Sequence, residues 1–249
     1  MIQGIYTIKE NIQLTSTVYK MTLVGNTESI THSGQFINIK IDNLYLRRPI
    51  SICDYNENEI IIIYKVVGEG TKVLSQKQPN EKLDCLVGLG NGYDLSINHG
   101  PKALLIGGGV GVPPLYNLAK KLKELNKEVT VVLGFNNKEE IFYYNEFKEI
   151  VDHVYVCTMD GSFGDKGNVV ELILNRNIDC DSYYTCGPER MLEGIHKNIL
   201  KPGYLSFEAR MGCGFGACMG CSCKTLTGNK RICVEGPILK SSEVIFGER

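Results

Sequence analysis

Five of the ten cysteines crowd between Cys213 and Cys233. Thiols at such short intervals point to metal ligation rather than to a disulfide framework spread along a secreted chain. Cys213, Cys218 and Cys221 follow a C-x4-C-x2-C spacing, and Cys233 comes after eleven further residues. That is the plant-type spacing of a [2Fe-2S] cluster, which takes four thiolates. Gly212, Gly214, Gly216, Ala217 and Gly220 lie among the thiols and are small enough to let backbone N–H groups approach sulfide. Zinc also takes four thiolates but more often arrives with two paired C-x2-C knuckles, and this stretch has one. Cys223 is a spare that could replace Cys221. Alternation along an extended segment puts it on the opposite side, so it is expected to stay unligated. The scattered Cys53, Cys85, Cys157, Cys180 and Cys186 are expected to behave as small buried apolar residues, Cys186 being the possible exception.

Two other patterns suit phosphate-bearing cofactors. Arg47-Arg48-Pro49-Ile50-Ser51 sets a guanidinium and a hydroxyl at R-x-x-S spacing where a strand is expected to end. Arg48 would give planar donors to a pyrophosphate, Pro49 fixes φ, and Ser51 offers a hydroxyl or N–H to a flavin. Downstream, the strand Ile63-Tyr64-Lys65 breaks at Gly68 and Gly70, and Thr71 opens a helix expected to reach Lys77. Backbone N–H groups at that helix start would meet the same phosphates. Tyr64 either flanks a ring or packs in the sheet.

The second pattern is Gly107-Gly108-Gly109-Val110-Gly111-Val112-Pro113-Pro114, between an apolar strand and a helical stretch. Glycine permits close backbone approach to phosphate, and proline in the first helical turn costs no hydrogen bond. A standard dinucleotide fingerprint would place an acid about 20 residues further on, at the end of the next strand. That strand ends instead at Gly134-Phe135-Asn136-Asn137. Asp160, in Thr158-Met159-Asp160-Gly161, and the segment Cys186-Gly187-Pro188 end later strands, at the sheet edge where ligands bind. Cys186 could there face a nicotinamide. With no arginine near Asn136 for a 2′-phosphate, NADH is favoured over NADPH, Lys138 being the residue that argues the other way.

The elements that must position these groups fall into three stretches. Residues 1–98 are short β-rich runs broken by Gly, Asn and Asp, which suggests a small antiparallel β-barrel for FAD. Residues 99–203 alternate apolar strands with helical patterns, the repeat of a parallel-sheet α/β domain for NAD. From 204 to 249 glycine and cysteine replace periodicity, so a small C-terminal [2Fe-2S] domain is expected to fold around its metal. Lys+Arg at 27 against Asp+Glu at 28 leaves no strong field to recruit nucleic acid or anionic lipid. No apolar run approaches the roughly 20 residues of a membrane span, and Met1 to Glu10 lacks signal-peptide character, so a cytoplasmic location is expected.

Three such sites in one chain have a chemical logic. A nicotinamide gives up a hydride while an iron–sulfur cluster accepts single electrons, and a flavin converts one to the other. At Leu46 to Ile52, Gly68 to Thr71, Gly107 to Pro114, Cys186 to Met191 and Glu208 to Cys221 the chain resembles the ferredoxin reductase family. Within it, the wording is similar to the electron-transfer subunits of NAD-dependent (class 1B) dihydroorotate dehydrogenases, over nearly the whole chain. The resemblance implies FAD held by Arg48 to Ser51, Ile63 to Lys65, Gly70 and Thr71, and a cluster on Cys213, Cys218, Cys221 and Cys233. It also implies a separate FMN-containing catalytic subunit that oxidises dihydroorotate in pyrimidine synthesis, with two copies of each subunit. Ile50 replaces an aromatic residue common in the wider family, and the stretch from Cys221 to Cys233 is short. Subunits of sulfide dehydrogenases, NADPH-dependent ferredoxin reductase complexes and hydrogenases share the Arg-Arg-Pro-Ile-Ser string and form the rival class. A zinc-stapled, non-catalytic interaction domain is a more distant alternative.

Overall fold

The structure, a computed structural model, describes residues 1–97 and 99–247. Alternating apolar positions in β1 (Ile2–Gln13), β2 (Val18–Val24), β3 (Phe36–Ile39), β4 (Arg48–Tyr55), β5 (Glu59–Lys65) and β6 (Lys82–Leu89) close into a barrel ordered β1-β2-β5-β4-β3-β6. Met21, Leu23, Ile37, Ile39, Ile60 and Ile62 fill its interior. Helix α1 (Glu69–Gln76) crosses between β5 and β6, starting two residues before the expected Thr71. The arginine pair does not end a strand as expected: β4 begins at Arg48 and runs on through Ser51.

Next come β7 (Lys102–Gly108), α2 (Pro114–Glu124), β8 (Glu128–Phe135), α3 (Tyr144–Lys148), β9 (His153–Thr158), β10 (Asp165–Lys166), α4 (Val169–Asn175), β11 (Ser182–Cys186) and α5 (Glu189–Asn198). β12 (Gly203–Ser206) follows, then the hairpin β13 (Ser222–Thr225) and β14 (Gly228–Arg231), and finally β15 (Ile238–Lys240). The main sheet is ordered β10-β9-β8-β7-β11-β12-β15, parallel except for β15. Strand order reverses between β7 and β11, and ligands of open α/β sheets bind at the carboxyl ends of strands at such a point.

The tail is anchored in the main sheet. β12 and β15 extend the parallel sheet, so the expected boundary at 203/204 cuts through a strand. The other expected boundary, at Asn98, lies outside the described residues. Cys221, Ile232 and Cys233 share one apolar core with Leu104, Ile106 and Leu205 of the sheet and Phe36, Leu86 and Leu89 of the barrel. Barrel and sheet are also joined by polar contacts. Asp54 accepts from Asn117 Nδ2 at 2.7 Å and from Lys120 Nζ at 2.7 Å, and Ser33 Oγ donates to Asn117 Oδ1 at 2.5 Å.

Candidate functional site

The two neighbouring arginines do different work. Arg47 pairs with both oxygens of Asp84, at 3.0 and 3.1 Å, and donates to the Asp84 carbonyl at 2.9 Å. Arg48 meets no carboxylate among the described residues; its guanidinium donates to the carbonyls of Leu46 and Arg47. It lies across the start of α1, where a Cβ on Gly70 would come within 2.3 Å of Arg48 Nε. Thr71 Oγ1 accepts from the N–H groups of Val67 at 3.0 Å and Gly68 at 3.2 Å, which fixes the helix entry. An unneutralised guanidinium beside a helix N-terminus is a donor set for phosphate, so these residues fit the pyrophosphate of FAD. Pro49 faces Asn38 across the β3–β4 pair, Ile50 faces Ile37 and Ser51 faces Phe36. Tyr64 packs in the sheet: its side chain joins the barrel core, stacks on Tyr19 and donates its hydroxyl to Asn11 Oδ1 at 2.9 Å. Ile63 packs on the sheet side, and Lys65 reaches the central cleft.

That cleft, of about 590 Å³, opens at the carboxyl ends of β7 and β11. Gly108, Gly109 and Gly111 form one lip and Gly187 and Pro188 the other. The lips touch, since a Cβ on Gly111 would come within 2.2 Å of the Cys186 carbonyl oxygen and one on Gly108 within 2.6 Å of Met191 Sδ. Side chains are thereby excluded from the place where a dinucleotide backbone must approach, which fits NAD. Gly107 and Cys186 are buried behind these lips and Asp160 sits in the exposed turn after β9, so none of the three lines the cleft. Asp160 accepts from the N–H and hydroxyl of Ser162 and closes its own turn. The Cys186 thiol is buried and faces Ser206; burial pushes it up to about 12, leaving it a neutral packing group.

The acid missing from the fingerprint arrives by another route. Glu140 closes a 3-10 turn after β8 and lines the cleft, with its carboxylate accepting from Asn136 Nδ2 at 2.8 Å. Asn137 Oδ1 caps the turn by accepting from the Glu140 N–H at 3.1 Å. The only trace in the sequence is the Asn-x-x-Glu capping pattern, displaced beyond the usual position of the acid. Met159 and Glu208 also line the cleft; each lies in a stretch singled out from the sequence, Thr158 to Gly161 and Glu208 to Cys221, though neither was itself expected to bind a cofactor.

The tail cysteines stand as two pairs. The Cys213 N–H donates to Cys218 Sγ at 3.4 Å and the Cys218 N–H to Cys213 Sγ at 3.4 Å, while the Cys233 N–H donates to Cys221 Sγ at 3.4 Å. Gly220 adds an N–H to Cys218 Sγ at 3.5 Å. Gly214 and Gly216, at φ +80° and +92°, make the reversals that place these donors, in a conformation other residues rarely adopt. Burial alone would raise the Cys213 thiol, but N–H groups of Cys218, Phe215 and Ala217 together with the Cys218 thiol bring it down to about 6. Cys233 is pushed up to about 12 by burial and by the Cys221 thiol, so a cation is needed to hold it as a thiolate. Two thiol pairs ringed by N–H donors fit a binuclear iron–sulfur group with one pair on each iron. Among the described residues no three ligating side chains converge on one point. Arg231, itself bonded to Glu235, donates to the Gly216 carbonyl at 3.0 Å and steadies the loop. Cys223 points into the shared apolar core from the hairpin.

Fold and site together define a flavin-type, NAD-linked oxidoreductase with an iron–sulfur tail. Residues 105–197 match the family described as oxidoreductase NAD-binding domain, and residues 208–245 match the iron-sulfur cluster binding domain of dihydroorotate dehydrogenase B. The chain belongs to the family of electron transfer subunits of dihydroorotate dehydrogenase B (NAD(+)). It is 43% identical to the Fusobacterium nucleatum subunit, covering 96% of each chain, and 43% identical to one from a Geobacillus strain, covering 99% of this chain and 100% of that one. Among solved structures, NADH-dependent reduced ferredoxin-NADP oxidoreductase superposes at TM-score 0.88 with 30% identity, covering 98% of this chain and 90% of the other. A Neisseria gonorrhoeae ferredoxin NADP+ reductase, solved with FAD and NADP, shares the fold at TM-score 0.67 and 14% identity, covering 80% of this chain and 90% of that one. FAD, [2Fe-2S] and NAD(H) are therefore the cofactors of this chain. No helix among the described residues is long and apolar enough to cross a membrane.

Proposed function

We propose that the chain passes electrons between NAD(H) and a separate FMN-containing subunit that oxidises dihydroorotate to orotate for pyrimidine synthesis, two copies of each subunit assembling in the cytoplasm. The observation that carries this is spatial. The arginine–helix cradle, the glycine-lipped cleft and the paired thiols belong to three segments, yet β5 reaches the cleft through Lys65 and the inner thiol pair shares an apolar core with both the barrel and the sheet. Bound FAD supplies the exchange between a hydride and single electrons. In this scheme Arg48 and the first N–H groups of α1 hold the pyrophosphate, and Ser51 faces the flavin. Gly108 to Gly111 and Gly187 seat the dinucleotide. Glu140 accepts from ribose hydroxyls and repels a 2′-phosphate, which favours NADH over NADPH. Cys213 with Cys218 and Cys221 with Cys233 ligate the irons. The proposed units are 1–98 for FAD, 99–203 for NAD and 204–249 for the cluster, with β12 and β15 lending the last unit its anchor in the sheet.

The deciding experiment is copurification of this chain with a candidate FMN subunit, followed by assay of dihydroorotate-dependent NAD+ reduction. Activity that needs both subunits is expected; a complex loaded with every cofactor but inert toward dihydroorotate would overturn the assignment. The likeness to NADH-dependent reduced ferredoxin-NADP oxidoreductase supports a second reading, as the equivalent subunit of such a complex. That reading predicts reduction of ferredoxin rather than turnover of dihydroorotate.

A further inference from the structure

The barrel wall facing the cluster loop carries a polar residue in an otherwise apolar junction. Asn38, on β3, is 1% exposed and lies opposite Pro49 of the Arg-Arg-Pro-Ile-Ser strand. Its neighbour two residues back, Phe36, belongs to the apolar core that contains Cys221 and Cys233. Apolar side chains would fill this position more cheaply, because burying an amide costs free energy unless its groups are bonded.

The amide is only half satisfied by the protein. Asn38 Nδ2 donates to the Cys213 carbonyl at 3.2 Å, a bond between residues 175 apart in sequence. Oδ1 is buried with no hydrogen-bond partner. The cluster loop is shaped around this amide: Gly214 sits at φ +80°, and a Cβ there would come within 2.3 Å of Asn38 Nδ2. The Asn38 carbonyl in turn accepts from Arg47 Nη1 at 3.4 Å, and Arg47 is held by Asp84. A continuous chain of contacts thus runs from the strand that begins with Arg48 to the first cysteine of the cluster.

Resting on the cofactor assignment above, we propose that Asn38 is the positioning residue that couples the two redox centres. Its Nδ2 fixes the Cys213 segment against the flavin-bearing wall, and its Oδ1 is the acceptor kept for a donor of the bound flavin. Electron transfer between two centres depends on their separation, so a loosened Cys213 segment slows transfer while leaving each centre intact. Toward the cluster, Asn38 acts through the Cys213 backbone.

Asn38→Leu removes both amide functions on the same branched skeleton. Asn38→Asp keeps the shape and an acceptor but puts a carboxylate oxygen against the Cys213 carbonyl. Both variants are made in the assembled, cofactor-loaded complex. Iron, acid-labile sulfide and FAD are quantified, and NADH is mixed rapidly with the enzyme while flavin bleaching and freeze-quenched electron paramagnetic resonance of the cluster are followed separately. Full cofactor content is expected in both, and flavin reduction at the parental rate in Asn38→Asp, which keeps the acceptor. Cluster reduction should be slower by about ten- to a hundredfold, since a misplacement of about 1 Å can cost a preorganised site about a hundredfold, with altered g-values because the Cys213 backbone has moved. In Asn38→Leu the visible flavin spectrum should shift as well, whereas Asn38→Asp retains the acceptor.

Cluster reduction at the parental rate with parental g-values in either loaded variant overturns the proposal. Should Asn38→Leu lose a cofactor, Asn38→Asp carries the test; loss from both would make Asn38 a folding residue and equally overturn it. Failure of NADH to bleach the flavin of the unsubstituted complex would instead strike the cofactor assignment.

Discussion

Arg47 and Arg48 are chemically identical, yet their surroundings give them opposite roles. Arg47 is neutralised by Asp84, while Arg48 keeps its charge beside the start of α1. Truncating Arg48 to alanine should weaken FAD binding by about 1.5–3 kcal/mol, the worth of a charge-assisted hydrogen bond. Gly70→Ala should weaken it less, because the new methyl pushes the guanidinium aside without removing it; fluorescence titration of the apoprotein with FAD compares the two. Equal affinity in Arg48→Ala would remove that residue from the site. Glu140 makes the second prediction at this scale. Replacing it by glutamine keeps the partner of Asn136 and deletes the charge, so use of NADPH relative to NADH should improve by about tenfold or more, since like charges placed together in a site are costly. The ratio of kcat/KM values for the two nucleotides reads this directly, and an unchanged ratio would place the ribose elsewhere.

Among elements, the junction of β3, β4 and β6 positions both the cradle and the cluster loop. The Arg47 side chain bonds Asp84 on β6, outweighs the burial that would raise its carboxyl, and holds it below the ordinary carboxylate range. A carboxylate with a depressed folded value stabilises the fold at pH above its unfolded value, near 4, and loses that contribution as pH falls through the folded value. Asp84→Asn should therefore cost about 1 kcal/mol at pH 7, as expected for a part-exposed bidentate pair. The difference from the parent should shrink below about pH 4. Urea unfolding at several pH values tests the sign, and a gap that widens on acidification would refute it. Most elements were legible beforehand. The β-rich runs of the first stretch and the alternation of apolar strands with helices in the second are both present, because each element carries its own apolar periodicity. β4 differs from the expectation because it opens on charged residues and proline, and what holds it is its pairing with β3 and β5.

For the whole molecule, the cluster segment is part of the main sheet and core rather than an appendage. β12 and β15 are strands of the parallel sheet, and Cys221 and Cys233 are 3% and 2% exposed within the core that also holds Leu104, Ile106 and Phe36. Anaerobic removal of iron with a chelator should thus lower the main melting transition of the chain by several degrees, since a ligand that binds only the folded state stabilises all that folds with it. Scanning calorimetry would show this as one displaced peak. An unmoved main transition with a separate small one lost would restore the picture of an independent module.

Local chemistry was written in the order of residues: the C-x4-C-x2-C spacing, the glycine run after an apolar strand and the arginine-to-serine string each act over one turn or one loop, so each could be recognised from sequence alone. Long-range pairing decided the rest. Tyr64 went into the barrel because strand register turned it inward, Glu140 reached the cleft because a 3-10 turn folded it back, Cys186 ended buried behind the lips, and Asp160 stayed in an exposed turn. Asn38 met Cys213 across 175 residues because β3 and the cluster loop close on one another. Such meetings depend on which face of a strand points inward and on how the chain crosses the sheet, and neither is encoded within any single window of residues.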